Sequence, residues 1–201
     1  DLHEEALQLY ERALPILEQA YGGEGEEVGI CLETTAVIHR QQRRYQTALQ
    51  LSLRSERIDT ALYGENSKQV ALSLNNTALI YSDLDQNDDA MERHERALRI
   101  RKVACGEGSE EVATSLNNIA IICYKQGRCD EALELHERAL PIQKVACGED
   151  SKAMADSLFN IANNHNFKHR YEEAVELQEL ALRNCAEVRG GGREVRTRWA
   201  A

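Results

Sequence analysis

The chain has 201 residues, of which 34 are acidic and 24 basic, giving a formal charge of −10. This excess of negative charge disfavours nonspecific attraction of the whole chain to nucleic acid or to an anionic membrane. No apolar run is long enough to predict a transmembrane helix, and we expect a protein that binds neither nucleic acid nor membrane. The six cysteines follow the spacing of an internal repeat rather than a disulfide framework, and we interpret them as reduced thiols of a cytoplasmic protein.

The first predicted element is a helix over residues 1–21. Its apolar residues recur at spacings of three and four, which is typical of a helix with one buried face. Pro15 lies inside this pattern and is expected to bend or shorten the helix. The segment corresponds to the second helix of the later repeats, so the sequence opens on a partial repeat, 1–25.

The rest of the chain repeats one segment. The sequence EALELHERALPIQKVACGE at 131–149 matches DAMERHERALRIRKVACGE at 89–107, which lies 42 residues earlier. This period predicts repeats at 26–67, 68–109, 110–151 and 152–189, followed by a flexible tail at 190–201. The turns between repeats are marked by glycines, which favour positive φ just past a helix end, and in three repeats by a serine placed to cap the next helix. These positions are Gly22, Gly64, Gly106, Gly148 and Gly190, with Ser67, Ser109 and Ser151.

Each repeat contains two helical patterns joined by a short polar turn, which predicts an antiparallel helix hairpin. Alanine recurs in the first helix four residues after a leucine, and small residues recur seven apart in the second helix. Small side chains at fixed places let the paired helices approach closely. These positions are Ala36, Ala78, Ala120 and Ala162 in the first helices, and Ala48, Ala90, Ala132 and Ala174 with Ser55, Ala97, Ala139 and Ala181 in the second.

A helix pair with Leu-x-x-x-Ala in the first helix and Ala-x-x-x-x-x-x-Ala in the second resembles the tetratricopeptide repeat. The unit SLNNIAIICYKQGRCDEALELHERALPIQKVACGE is similar to the 42-residue form found in kinesin light chains and nephrocystin-like proteins. The resemblance covers residues 1–189. It implies an all-α fold, an α-solenoid in which antiparallel helix hairpins form a right-handed superhelix.

In such a stack the first helices line a concave groove. At 100° per residue, the side opposite the Leu-x-x-x-Ala face carries an asparagine row beside apolar residues. An amide side chain both donates and accepts, so this row can bind the backbone of an extended peptide, as the resemblance also implies. The alternative is that these asparagines link neighbouring helices. The predicted peptide-binding residues are Asn75, Asn76, Leu79, Asn117, Asn118, Ile121, Lys125, Phe159, Asn160 and Asn163.

The resemblance also implies that capture of a peptide carboxyl terminus would need basic residues at set positions of the first helices, and the matching positions here hold Ile30, Leu72, Thr114 and Asp156. We therefore do not expect that mode of binding.

The sequence offers little chemistry. His165 and His169 are four residues apart, as a two-histidine metal site requires, but no third ligand completes the set. His94 and His136 occupy equivalent positions and are interpreted as packing residues. No nucleophile and base have a pocket in which to converge, so we predict no catalytic residues, no metal, no cofactor and no enzyme activity.

Three functional hypotheses remain, of which cargo adaptation of the kinesin-light-chain kind rests on the resemblance alone. The first is a protein–protein interaction module, a scaffold or adaptor that binds a peptide or helix of a partner protein in the groove. The alternative is that the array is the sensor or scaffold arm of a larger multidomain enzyme, such as a signalling ATPase or a protease. Because the end faces of a repeat array are apolar, self-association through them is also expected.

Overall fold

The computed structural model describes residues 2–148 and 151–190, with side chains for 4–148 and 151–183. Every regular element in these ranges is an α-helix, and the chain divides into two units, Asp1–Ala104 and Cys105–Ala201. Apart from Gly190, the predicted tail at 190–201 lies outside the described residues. The first unit carries α1 (Leu2–Tyr21), α2 (Glu26–Gln41), α3 (Tyr45–Tyr63), α4 (Lys68–Asp83) and α5 (Asn87–Cys105), and the second carries α6 (Glu110–Lys125), α7 (Cys129–Cys147), α8 (Lys152–Phe167) and α9 (Tyr171–Gly190).

The helices alternate in length and pack in sequence order. From α2 to α8 the first helices have 16 residues and the second helices have 19. In the first unit α1 packs on α2, α2 on α3 and α3 on α4, and in the second unit α6 packs on α7, α7 on α8 and α8 on α9. The predicted all-α architecture of helix hairpins is confirmed. Pro15 does not shorten α1, which continues to Tyr21.

The predicted small residues lie where the helices meet. All twelve are buried, with exposed fractions of 5% or less. In α2, Gly29 allows a still closer approach, because a Cβ there would lie 3.3 Å from Ile58 Cγ2, and the Ser55 hydroxyl donates to the Gly29 carbonyl at 3.0 Å. Larger side chains at these positions would force the helices apart.

The three capping serines and four of the five glycines behave as predicted, whereas Gly190 is the last residue of α9. The hydroxyls of Ser67, Ser109 and Ser151 each accept a hydrogen bond from the backbone N–H three residues later. Glycines 22, 64, 106 and 148 have φ between 82° and 89°. Such values exclude most residues with a Cβ, so the glycines are required where each repeat ends.

Within the hairpins the chain again takes positive φ, at four positions exactly one period apart. Only Gly127 (φ 77°) is a glycine there, whereas Arg43, Asp85 and His169 adopt φ values of 59–61°. A residue with a Cβ pays a conformational cost in this left-handed region. The hairpin turn is therefore imposed by the packing of its two helices rather than by the turn residue.

Apolar clusters hold the helices together within each unit. In the first unit Val28, Leu32 and Ile58 join α2 to α3, with leucines of α1 packed against them. In the second unit the corresponding cluster of α8 and α9 contains Met154, Leu158, Ala181 and neighbours. In the described part of the chain, no helix combines the length and apolar character needed to cross a membrane.

Candidate functional site

The second unit contains an open cavity of about 410 Å³ between the first helices of two successive repeats. Ser109 fixes the start of α6 and Ser151 the start of α8, so equivalent side chains of both helices face the same space. Phe159 is 52% exposed at its edge. We call this space the amide cavity; it is lined by Thr114, Asn117, Asn118, Ile121, Gln143, Ala153, Asp156, Ser157, Phe159 and Asn160.

A chain of buried hydrogen bonds lies under the amide cavity and joins its three helices. Asn117 Nδ2 donates to Ser157 Oγ at 2.7 Å, and Ser157 Oγ donates to Gln143 Oε1 at 2.6 Å. Asn117 Oδ1 lies 2.8 Å from His136 Nδ1. Asn117 is 8% exposed and Gln143 is 3% exposed, so these amides are held in place within the fold. The cavity therefore has a rigid polar floor.

The first unit contains a second cavity, of about 320 Å³, with a different character. Three carboxylates and a tyrosine lie along it, together with Ile30 and Leu72, which are 60% and 54% exposed. We call it the acidic cavity; it is lined by Glu26, Gly29, Ile30, Glu33, Thr34, Ser55, Asp59, Tyr63, Gln69, Leu72 and Ser73.

Three side chains that line the acidic cavity have raised pKa values. Burial raises the pKa of Glu33 to about 7, although the hydrogen bond from Asn76 opposes the shift. Burial also raises the pKa of Asp59, which accepts a hydrogen bond from Ser73. A hydrogen bond to Glu26 raises the pKa of Tyr63 to about 12. The cavity consequently holds less negative charge near pH 7 than its composition suggests.

The structure brings five of the ten predicted groove residues together in the amide cavity. These are Asn117, Asn118, Ile121, Phe159 and Asn160. The other five, which are Asn75, Asn76, Leu79, Lys125 and Asn163, line neither cavity.

Asn117 and Asn76 are among the predicted asparagines that link helices. Asn117 joins α6 to α7 and α8 through the bonds described above, and Asn76 Nδ2 donates to Glu33 Oε1, joining α4 to α2. Asn75 is also buried. Some of the predicted asparagines therefore link helices, as the alternative interpretation expected. Asn118 and Asn160 are the asparagines of the amide cavity that are only half-buried.

Sequence reasoning missed the parts of the site that come from second helices. Gln143 on α7, and Ser55 and Asp59 on α3, line the cavities although the groove was assigned to first helices alone. Gln143 lies four residues after the buried Ala139, so the two residues share one face of α7. This helical spacing could have shown from the sequence that Gln143 faces the neighbouring helices.

The predicted packing histidines differ from one another. His94 and His136 are both fully buried, and burial lowers the pKa of each to about 4. His136 bonds to Asn117, whereas neither ring nitrogen of His94 has a hydrogen-bond partner among the described residues. His169 bonds to the Tyr171 hydroxyl at 2.6 Å. Within residues 2–148 and 151–190 no group of three or more His, Cys, Asp or Glu side chains is placed to hold a metal ion.

The helix hairpins and their 42-residue period identify the chain as a helical repeat protein. A family model of the tetratricopeptide repeat matches residues 1–61, 36–102 and 111–194, so the chain belongs to the tetratricopeptide repeat family. Proteins of this repeat type are interaction modules. No curated protein sequence matches the chain.

Several solved structures share the fold. BtubC (BKLC) from P. vanneervenii is 23% identical, with a TM-score of 0.78 over 94% of this chain and 75% of that one. The nearly identical TPR-like repeats of a Podosopora anserina protein assigned as a kinesin light chain are 20% identical, with a TM-score of 0.73 over 94% of this chain and 89% of that one. Rap protein complexed with Competence and Sporulation Factor is 17% identical, with a TM-score of 0.77 over 92% of this chain and 49% of that one.

Proposed function

We propose that the chain is a protein-interaction scaffold that binds an extended peptide segment of a partner protein in the amide cavity. The observation that carries this proposal is the combination of accessible amides with an exposed aromatic side chain over a rigid polar floor. Asn118 and Asn160 are half-buried on neighbouring first helices, and Phe159 stands exposed beside them. Amides bind the peptide backbone, and the ring offers apolar surface to a side chain.

The alternative chemistry, catalysis, has no support in the cavity. Its lining includes no cysteine or histidine, and its one carboxylate, Asp156, is exposed. A nucleophile activated by an adjacent base is therefore not present among the lining residues. Rap protein, which shares the fold, was solved as a complex with Competence and Sporulation Factor, so a ligand-binding role is compatible with this architecture.

The test begins with selection of peptides from a displayed random library against the whole chain. The affinity of the enriched peptides is then measured by fluorescence anisotropy for the wild type and for the double variant Asn118→Ala/Asn160→Ala. Loss of two neutral hydrogen bonds is expected to weaken binding about tenfold or more. Phe159→Ala is expected to weaken binding by a similar factor, because it removes an exposed aromatic contact.

The matched control is Glu134→Ala, an exposed position on α7 outside the cavity. It is expected to bind the selected peptides as the wild type does. Peptides that bind all the variants equally, or lose affinity only for the control, would show that the amide cavity is not the binding site. Circular dichroism of each variant confirms that the helices remain formed.

A further inference from the structure

The hydrogen bonds beneath the amide cavity have a single consistent direction. Gln143 Nε2 lies 3.4 Å from the Ala153 carbonyl oxygen, and an amide oxygen in that place would face another acceptor. The amide nitrogen therefore points to Ala153, and Oε1 points to Ser157. As a result the Ser157 hydroxyl donates to Gln143 at 2.6 Å and accepts from Asn117 Nδ2 at 2.7 Å.

The same logic fixes the tautomer of His136. Asn117 Oδ1 can only accept, so His136 Nδ1 carries the proton and donates to it at 2.8 Å. His136 Nε2 is buried and has no hydrogen-bond partner in the described part of the chain. A second proton there would leave an unpaired N–H in the interior, so the ring is neutral and the direction of the chain of bonds is stable near pH 7.

This direction determines what the floor of the cavity can offer. Asn117 and Gln143 both line the cavity, and their amide oxygens already accept hydrogen bonds from within the protein. Each amide nitrogen carries a second N–H beyond the one used in the fold. The Ser157 proton is also committed. A ligand group that binds these two N–H groups must therefore supply an acceptor.

The rim adds the opposite requirement. Asp156 lines the same cavity and is exposed, so it adds a carboxylate to the rim. A carboxylate ligand would be repelled by Asp156, whereas a cationic ligand would meet N–H donors at the floor. A neutral group with one acceptor and one donor can bind both the N–H groups of the floor and the carboxylate of the rim. The carboxamide group has this composition.

We propose that the amide cavity binds the side-chain carboxamide of an asparagine or glutamine in the partner segment. Its carbonyl oxygen accepts from the second N–H groups of Asn117 and Gln143, and its amino group donates to Asp156. His136 acts as a positioning residue, because it fixes the orientation of Asn117 through Oδ1. The proposal rests on the proposed function, because the side chain belongs to the partner peptide that the cavity is proposed to bind. Recognition of the carboxamide itself can be measured separately.

The experiment uses the whole chain and three small probes of nearly equal size: propionamide, propionate and propylammonium. Binding is followed by NMR through the side-chain amide resonances of Asn117 and Gln143. Propionamide is expected to shift both resonances and to bind about tenfold more tightly than either charged probe, because only the amide satisfies both ends. Equal or tighter binding of propionate or propylammonium overturns the proposal, as does propionamide binding that leaves these two resonances unchanged.

A variant tests the role of the rim. Asp156→Asn removes the repulsion at an exposed position, so propionate is expected to approach propionamide in affinity to within about twofold. The matched control Glu137→Gln removes a carboxylate at an exposed place on α7 outside the cavity, and it is expected to keep the wild-type preference. An unchanged preference in Asp156→Asn shows that Asp156 does not select the ligand and overturns that part of the proposal.

A second readout separates positioning by His136 from a purely structural role. His136→Gln keeps an N–H donor that can reach Asn117, and it is expected to retain the preference for propionamide, whereas His136→Leu is expected to lose it while remaining helical. Loss of the preference in both variants, or in neither, contradicts the positioning role.

The two proposals fail differently. Selected peptides that bind through Asn118 and Asn160, together with no preference for propionamide, would leave the proposed function intact and overturn the carboxamide site. Selective propionamide binding without any enriched peptide would retain the carboxamide site and overturn peptide binding.

Discussion

Glu33 offers a direct test of the electrostatics of the acidic cavity. Its carboxylate lies between α2, α3 and α4, where Asp59 and Glu56 of α3 add negative charge and Asn76 of α4 donates to Oε1. Burial raises its pKa from 4.5 to about 7. The folded state therefore binds the proton more tightly than the unfolded state does, and the free energy of unfolding falls as the pH rises from about 4.5 to about 7.

The variant Glu33→Gln removes this penalty and keeps the oxygen that accepts from Asn76. The pKa change corresponds to about 3.5 kcal/mol at about 1.4 kcal/mol per unit, and partial screening reduces the expected gain to about 2 kcal/mol. Urea unfolding, followed by circular dichroism, is expected to show this gain at about pH 8.5 and almost none at about pH 4.5.

The control for this measurement is Glu95→Gln, at an exposed position of α5. It is expected to change the free energy of unfolding by less than about 0.5 kcal/mol at both pH values. A gain for Glu33→Gln that does not depend on pH, or a loss at about pH 8.5, would refute the conclusion that burial of this carboxylate opposes folding.

Four further predictions concern the scaffold. Ser109→Ala is expected to lower the free energy of unfolding by about 1 kcal/mol in urea titrations, because it removes the cap of α6; no change would mean that solvent replaces the cap. His136→Phe is expected to cost about 1–3 kcal/mol because it leaves Asn117 Oδ1 without its donor, whereas His94→Phe breaks no hydrogen bond and is expected to cost less. Burial lowers the pKa of His94 to about 4, so the unfolded state takes up a proton first as the pH falls from 6.5, and His94→Phe is expected to lessen the loss of stability in acid; an unchanged acid profile would contradict this. Arg43→Gly, at φ 61°, is expected to raise the thermal midpoint through a gain of about 0.5–1 kcal/mol, and a lower midpoint would show that the Arg43 side chain contributes more than its backbone strain costs.

The scaffold could be predicted from the sequence because its determinants are local or strictly periodic. Ala120 follows Leu116 by one helical turn in a pattern that recurs every 42 residues, and Ser109 needs only the three residues after it to form a cap. The conformation of Arg43 could not be predicted in this way. Its positive φ is imposed by two packed helices, and nothing in its own chemistry favours that conformation.

The candidate site was less predictable, because the role of an amide depends on what the next helix places beside it. Asn117 and Asn118 are adjacent in sequence and both were assigned to the groove. The structure uses Asn117 inside the fold, since Ser157 of α8 and His136 of α7 meet its two ends, and leaves Asn118 half-buried at the cavity. A periodic sequence identifies the helix face, but the pairing of buried polar groups requires the three-dimensional packing of three helices.

One position of the first helix accounts for much of the chemical difference between repeats. At intervals of 42 residues it holds Glu33, Asn75, Asn117 and Phe159. Glu33 adds a carboxyl with a raised pKa to the acidic cavity, Asn117 orders the floor of the amide cavity, and Phe159 is exposed at its edge. This position lies within a helix in each of the four repeats, beside the buried leucine. Substitution at this one position therefore changes the chemistry of a cavity, and at Asn117 it also removes hydrogen bonds that join three helices.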